Sequence, residues 1–286
     1  MNGFVMTPVY DLLLRGDDQV PVGLYHLHLV TAEQLCRLHY SPGSLTTVKA
    51  RLKTLVDNGY IQYDRIPSKN PRSPYYYTLA AGGLRYLKKQ GQDILPSARG
   101  SKEQDKQYTH ITHTLELNNV IIAAATLGLF SDIYRLASFI HERELKRPEY
   151  KYDVVPDALL DFRMSLENGK QRRMAVLLEH DRANEHINAF KPRIRAYVKM
   201  LKAEAYRKLF NVGAVRIAFV TLKGERHAEK MRQWTKEQLT TTGDMDTGGL
   251  SFYFKNLVQP MEPVALWLGS DWKTVYADEP VSLLAG

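Results

Sequence analysis

Two short apolar runs in the middle of the chain each carry an acid. The first is Val154-Val155-Pro156-Asp157-Ala158-Leu159-Leu160 and the second is Met174-Ala175-Val176-Leu177-Leu178-Glu179-His180-Asp181. Both are brief, aliphatic and bounded by polar residues, the pattern of buried strands. Between them Glu167-Asn168-Gly169-Lys170 is a turn signal, so the runs read as a hairpin. That pairing sets Asp157 beside Glu179. Carboxylates on adjacent strands can hold a hard divalent cation through oxygen, which is how many nucleases activate water and steady a phosphate.

Ahead of these runs the period is helical. Residues 8–15 form a short leading helix or an arm, and Val20 to Leu29 a first helix. Thr31 caps Ala32 to His39, Ser41-Pro42-Gly43 breaks the chain, and Ser44 caps a second helix that Asn58-Gly59 ends. On that second helix Leu45, Val48, Leu52, Leu55 and Val56 share one face. The opposite face shows Thr46, Thr47, Ala50, Lys53 and Thr54, with Arg51 on its flank. It is hydroxylic or basic and free of acids, so it suits a major groove. Strands at Tyr60 to Ile66 and Pro74 to Leu79 flank a basic connection that holds Lys69 and Arg72, and a helix from Ala80 to Lys89 closes the unit. Helix, turn, helix and basic hairpin is the order of a winged helix-turn-helix, and Leu52 to Tyr63 (LKTLVDNGYIQY) resembles the recognition-helix-to-wing segment of that family.

Residues 91–106 mix Gly, Pro, Ser and charge and read as a linker. A long helix from Gln107 to Leu127 carries His110, His113 and Glu116 on one side. His113 reads as a packed or capping residue, Glu116 as an acid able to approach a metal. Ile133 to Leu145 reads as one strand or two, carrying Glu142 and Glu144. After the acid-bearing hairpin comes a basic helical region, Ala183 to Phe210, in which Pro192 predicts a kink or restart. A strand at Ala214 to Leu222, a surface helix at Gly224 to Leu239, a polar loop at Thr240 to Gly249 and late strands at Ser251 to Phe254 and Ala265 to Leu268 complete the chain.

The 286 residues suggest two domains, 1–90 and 107–286. Net charge is +8, and five of those charges fall within residues 1–100. A basic front favours a polyanion such as double-stranded DNA. Cys36 is the sole cysteine, so an internal disulfide is excluded and a reducing cytoplasm is expected. The longest apolar run, Val120 to Phe130, is too short to span a bilayer, which needs about 20 residues. No phosphate-binding glycine loop, dinucleotide fingerprint or zinc-spaced cysteine set is present, which speaks against an ATPase or a zinc protein.

The order helix, three strands, helix, strand resembles the PD-(D/E)xK nuclease superfamily. Pro156-Asp157 stands as its first signature element and Glu179 as its second acid. The fold class expected is therefore α/β plus α+β: a winged helix-turn-helix, then a restriction-endonuclease-like mixed-sheet domain. The superfamily's lysine, two residues after the second acid, is here Asp181, which would repel a phosphate rather than neutralise it. Lys191 on the next helix is the candidate substitute, with Arg182 or Arg195 as other sources of charge. A narrower resemblance rests on Glu142-Arg143-Glu144-Leu145, Pro156-Asp157-Ala158, Leu178-Glu179-His180-Asp181-Arg182, Lys191 with Tyr197, and His113-Thr114-Leu115. Together these look like the replication-relaxation family, whose members pair a winged helix with a nuclease-like domain and are associated with plasmids and other mobile elements.

Three functions follow. One is a DNA-binding protein of a mobile element, acting in replication, relaxation or mobilisation alongside that element's other proteins, with a degenerate nuclease-like domain and room for a homodimer. Another is a metal-dependent endonuclease or nickase in which Asp157 and Glu179, with Glu116 or Glu144, hold Mg2+ or Mn2+ and Asp181 and Lys191 complete the catalytic set. The last is a winged-helix transcriptional regulator.

Overall fold

A computed structural model describes residues 6–41, 43–66, 68, 72–92, 94, 108–146, 153–182, 187–276 and 279–284. The chain packs as two compact units, one of Pro8–Ile122 and one of Ala123–Gly286 together with the leading residues through Thr7. It is a mixed α/β protein, and among the described residues no helix is long and apolar enough to cross a membrane.

After the edge strand β1 (Thr7–Pro8), the first unit runs α1 (Val9–Leu12), α2 (Val20–Leu27), β2 (Leu29–Thr31), α3 (Ala32–His39), α4 (Leu45–Asp57), β3 (Ile61–Arg65), β4 (Tyr75–Leu79), α5 (Ala81–Lys89) and most of α6 (Tyr108–Thr126). Thr31 caps α3 through a reciprocal box: its hydroxyl accepts the Gln34 amide at 3.2 Å, and the Gln34 side chain accepts the Thr31 amide at 2.9 Å. Ser44 stands at the start of α4 but does not cap it. Its hydroxyl donates instead to the Ser41 carbonyl at 2.5 Å, closing the preceding turn. Gly59, at φ +70, ends the helix by the left-handed route open to glycine, its amide reaching the Val56 carbonyl at 2.9 Å. Strands β2, β4 and β3 form an antiparallel sheet in that order. β2 occupies the place where the apolar run of α2 had suggested continued helix.

The helix expected to open the second domain instead packs mainly within the first unit. Asn118 of α6 donates to the Leu27 and Leu29 carbonyls at 2.9 and 2.7 Å, and Gln34 donates to the Leu115 carbonyl at 2.7 Å. Buried amides of this kind bind only where a carbonyl faces them, and the apolar periodicity of α6 carries no such information. Most of the anticipated linker, 91–106, lies outside the described residues.

The second unit runs β5 (Tyr134–His141), α7 (Glu142–Leu145), β6 (Ala158–Ser165), β7 (Gln171–Asp181), α8 (Ile187–Lys202), α9 (Ala205–Phe210), β8 (Val215–Thr221), α10 (Glu225–Thr242), α11 (Met245–Gly248), β9 (Phe252–Asn256), α12 (Pro263–Trp267) and β10 (Lys273–Thr274). Its sheet is mixed, in the order β1-β5-β6-β7-β8-β9-β10. β5, β6 and β7 run antiparallel, while β7-β8 and β8-β9 are parallel. The β6–β7 turn is the one anticipated: Gly169 takes φ +74, and the Leu166 amide reaches the Lys170 carbonyl at 2.8 Å. From Met174 to Asp181 β7 is buried on both faces, which is why it reads as a continuous aliphatic run. On one face Phe190, Ile194 and Tyr197 of α8 and Met231 and Leu239 of α10 join Leu177, Ile217, Phe219 and Phe252 in a single core.

Four expectations are corrected here. Glu142 and Glu144 sit on the one-turn helix α7, because the Glu142 amide turns to the Asp157 carbonyl (2.8 Å) and ends the strand. α8 passes through Pro192 and runs to Lys202, and the break follows at Glu204, which adopts φ +46. The predicted loop at 240–249 holds the end of α10 and the short α11, separated by Gly243 at φ +69. Residues 265–268 close helix α12 rather than a strand, since Pro263 supplies the fixed φ of a helical first turn.

Candidate functional site

The acid-bearing ends of β6 and β7 meet as the hairpin predicts. Ala158 pairs with Leu178, which places Asp157 alongside Glu179. The Asp157 amide donates to the Leu178 carbonyl at 3.0 Å, and its Oδ2 accepts the His180 amide at 2.7 Å. With its carbonyl bound by Glu142, Asp157 thus joins β7 to the start of α7.

Glu179 is 3% exposed. Its two oxygens are addressed by two donors from α8: the Tyr197 hydroxyl donates to Oε1, and Arg193 Nη1 donates to Oε2 at 3.2 Å. Arg193 and Tyr197 are four residues apart, so one helix face delivers both. Burial pushes the Tyr197 hydroxyl well above the ordinary tyrosine range. The charge of Glu179, its hydrogen bond and then the charge of Asp157 add to the shift, while Arg193 opposes it. Tyr197 therefore senses both carboxylates as one negative neighbourhood. Asp181, two residues further along β7 on the same face, turns to α10 instead: its Oδ2 lies 3.1 Å from His227 Nε2. His227 stands in the first turn of that helix.

The other predicted cations face elsewhere. Lys191 Nζ lies 3.2 Å from Glu237 Oε2, and Arg195 donates to the Gln238 side chain at 3.2 Å, both on α10. Alternate turns of α8 thus address α10 with Lys191 and Arg195, and Glu179 with Arg193 and Tyr197. Glu116 lies on α6 within the first unit.

As arranged, Glu179 is already matched by a cation from α8. A guanidinium 3.2 Å from Glu179 already balances that acid and would repel a second positive centre drawn to the same oxygens. Lys191, the lysine expected near a phosphate, pairs with Glu237 instead. What the cluster does supply is cross-bracing, since each acid fixes a different neighbouring segment.

The second candidate surface belongs to the first unit. Val48 and Leu52 of α4 are fully buried, while Thr46, Thr47, Ala50, Arg51, Lys53 and Thr54 are all exposed. Lys53 pairs with Asp57 at 2.6 Å. Arg51 pairs with Asp17 at 3.1 Å and lies over the Tyr40 ring at 5.7 Å. Lys49, absent from the sequence reading, adds a further exposed cation, 4.0 Å from Glu33. Exposed pairs of this kind contribute little to stability, so a phosphate can replace their acids at small cost. Arg72 is exposed beside β4, and Lys69 lies outside the described residues.

Sequence reasoning did not find Arg193 or His227. The four-residue spacing of Arg193 and Tyr197 was a visible signal for the first, whereas His227 is far along the chain and had none.

Compared with known proteins, the chain matches a family model described as Replication-relaxation over residues 23–213. That span starts within α2, takes in α4, Asp157, Glu179, Asp181 and α8, and stops before β8, short of His227. No curated protein and no solved structure matches the chain. A match over most of the chain settles the kinship, and the chain belongs to the replication-relaxation family.

Proposed function

We propose that this chain is a DNA-binding protein of a plasmid or other mobile element, and that it grips duplex DNA with a winged helix-turn-helix in its first unit. Membership of the family ties it to replication or relaxation. In this reading α4 is the recognition helix, β3 and β4 form the wing, and Thr46, Thr47, Ala50, Arg51, Lys53, Thr54, Lys69 and Arg72 meet the DNA. The second unit is a PD-(D/E)xK-like domain whose acids have become structural. The division of α4 into a buried apolar edge and an exposed face that carries Thr46, Thr47, Arg51 and Lys53, with Asp57 as the helix's one acid, supports the DNA grip. The capture of Glu179 by Arg193 and Tyr197 supports the loss of catalysis.

A second reading, a metal-dependent nickase using Mg2+ or Mn2+, draws support from the adjacency of Asp157 and Glu179. One experiment separates the two. Pure protein is incubated with supercoiled plasmid, with and without Mg2+ or Mn2+, while duplex binding is followed as salt is raised. The proposal expects binding that weakens steeply with salt and no metal-dependent relaxed or linear product. Nicking that disappears in Asp157→Ala/Glu179→Ala would instead establish the nickase. Binding indifferent to salt would remove the basic-face grip.

A further inference from the structure

The β3–β4 hairpin carries a feature that duplex binding by α4 does not use. In its register Tyr63 stands opposite Tyr77 and Arg65 opposite Tyr75, so these four side chains share one face. Along that face burial fades outward, from Ile61 and Leu79 in the core, through Tyr77 at 8% exposed, to Tyr75 at 39% and Tyr63 at 49%. The Tyr63 and Tyr75 rings meet edge to face with centroids 5.0 Å apart, and the Arg65 guanidinium lies over the Tyr75 ring at 4.8 Å. Arg65 also donates to the Tyr75 hydroxyl at 2.9 Å, which fixes its plane. Lys53 of α4 is near enough to interact electrostatically with Tyr63 as well as with Asp57.

We infer that this face is a stacking platform for unpaired bases of single-stranded DNA, with Tyr63 and Tyr75 receiving the bases and Arg65 and Lys53 taking the backbone phosphates. Every base has a π-face, so aromatic rings bordered by cations bind single strands with little regard to sequence. The interior of a duplex offers no such face. Cross-strand aromatic pairing by itself stabilises a hairpin, but it leaves unexplained why the more exposed rings lie where cations of β3 and α4 converge. The inference rests on the reading of this unit as a DNA binder and adds a second kind of DNA to it. Replication and relaxation both pass through separated strands, so such a platform would hold DNA already opened.

The test uses the full chain and two fluorescent probes, an oligo-dT strand and a hairpin duplex. Tyr63→Ala/Tyr75→Ala is expected to weaken oligo-dT binding by about tenfold or more, from stacking energies of roughly 1–3 kcal/mol per base, and to leave duplex binding within about twofold. Tyr63→Phe/Tyr75→Phe keeps the rings and is expected to bind both probes as the unaltered chain does. That pair also guards against a folding defect in the alanine variant, which thermal melting checks. Unchanged oligo-dT binding in a folded alanine variant overturns the platform while duplex binding stands. Equal loss of both probes also overturns it. If the unaltered chain binds neither probe, the DNA-binding reading itself falls.

Discussion

Arg193 reaches Glu179 at 3.2 Å, one helical turn before the tyrosine that holds the other oxygen of the same carboxylate. The acid is buried and the arginine partly so, with side-chain exposures of 4% and 29%. Removing the arginine leaves a buried carboxylate short of its counter-charge. Arg193→Ala is therefore expected to cost about 1–3 kcal/mol in urea denaturation, with Arg193→Lys costing less. The same change should let Mn2+ bind near Asp157 and Glu179 when titrated by calorimetry, while the unaltered chain shows no such heat. Glu179-dependent Mn2+ binding by the unaltered chain would contradict the structural role given to this pair.

Tyr197 makes an alkaline prediction. Its hydroxyl is held well above the ordinary range by burial first and by Glu179 second. An unfolded tyrosine gives up its proton near pH 10, whereas the native one keeps it. Above that point the native state binds more protons than the unfolded state, so stability falls as pH rises. Below about pH 10 the contribution is complete. Burial also raises Tyr40 and Tyr77, in the same direction. Tyr197→Phe is therefore the informative comparison. It should be less stable at neutral pH by about 1–3 kcal/mol, from the lost hydrogen bond to a buried acid, and should lose stability less steeply between pH 9.5 and 11. Parallel pH profiles would show that the bond to Glu179 is not what holds that proton.

Much of the architecture could be read from the residues because it depends on local signals. Thr31 announced its cap, Asn58-Gly59 its stop, and Asn168-Gly169 the turn that fixes the β6–β7 register. The alignment of Asp157 with Glu179 followed from that turn. Long-range features gave no comparable sign. Nothing near His227 points to Asp181, and the choice of Glu237 by Lys191 depends on how α8 lies against α10. The ownership of α6 by the first unit depends on Asn118 finding two carbonyls 91 and 89 positions earlier. Asp161, 1% exposed and held by Arg173 at 2.7 Å and Arg163 at 3.3 Å, is a comparably buried acid that no motif marked. Carboxylates buried to brace a sheet and carboxylates buried to hold a metal look alike in a sequence; only their partners distinguish them.

The first unit carries an acid-side liability. Burial lowers the affinity of His39 for a proton, an effect the Leu14 carbonyl and Asp18 only partly offset. Burial also brings half-buried His26 down to about 4. His39, at 1% exposed, is the more firmly constrained of the two, and its Nδ1 lies 2.8 Å from the Leu14 carbonyl. Unfolded histidines take protons at about 6.5. Below that pH the unfolded state binds more protons, so stability is lost as pH falls from 6.5 toward 4. Urea midpoints at pH 7.5, 6 and 5 should decline in that order, and less steeply in His26→Gln. Space is as tight here as charge: a Cβ added at Gly23 would lie 2.6 Å from His39 Nε2. Gly23→Ala, which in an open helix would gain about 0.5–1 kcal/mol, should destabilise instead.

The proposed grip on duplex DNA should show in its salt dependence as much as in its affinity. Lys53 has 75% of its side chain exposed and pairs with Asp57 within its own helix, and Arg72 is exposed shortly before β4. Each phosphate that a protein neutralises contributes roughly 0.9 to the slope of log affinity against log salt. Lys53→Ala/Arg72→Ala should therefore flatten that slope by nearly 2 and weaken binding at low salt more than at high salt. A control double, Arg226→Ala/Lys236→Ala, removes the same charge from exposed positions of α10 in the other unit. If DNA responds only to net charge, the two doubles will behave alike. If α4 and the wing make the contact, the control will keep the full slope, because counterions are released only where phosphates sit. Equal flattening in both variants would move the contact off the first unit, and no flattening in either would leave Lys53 and Arg72 outside the contact.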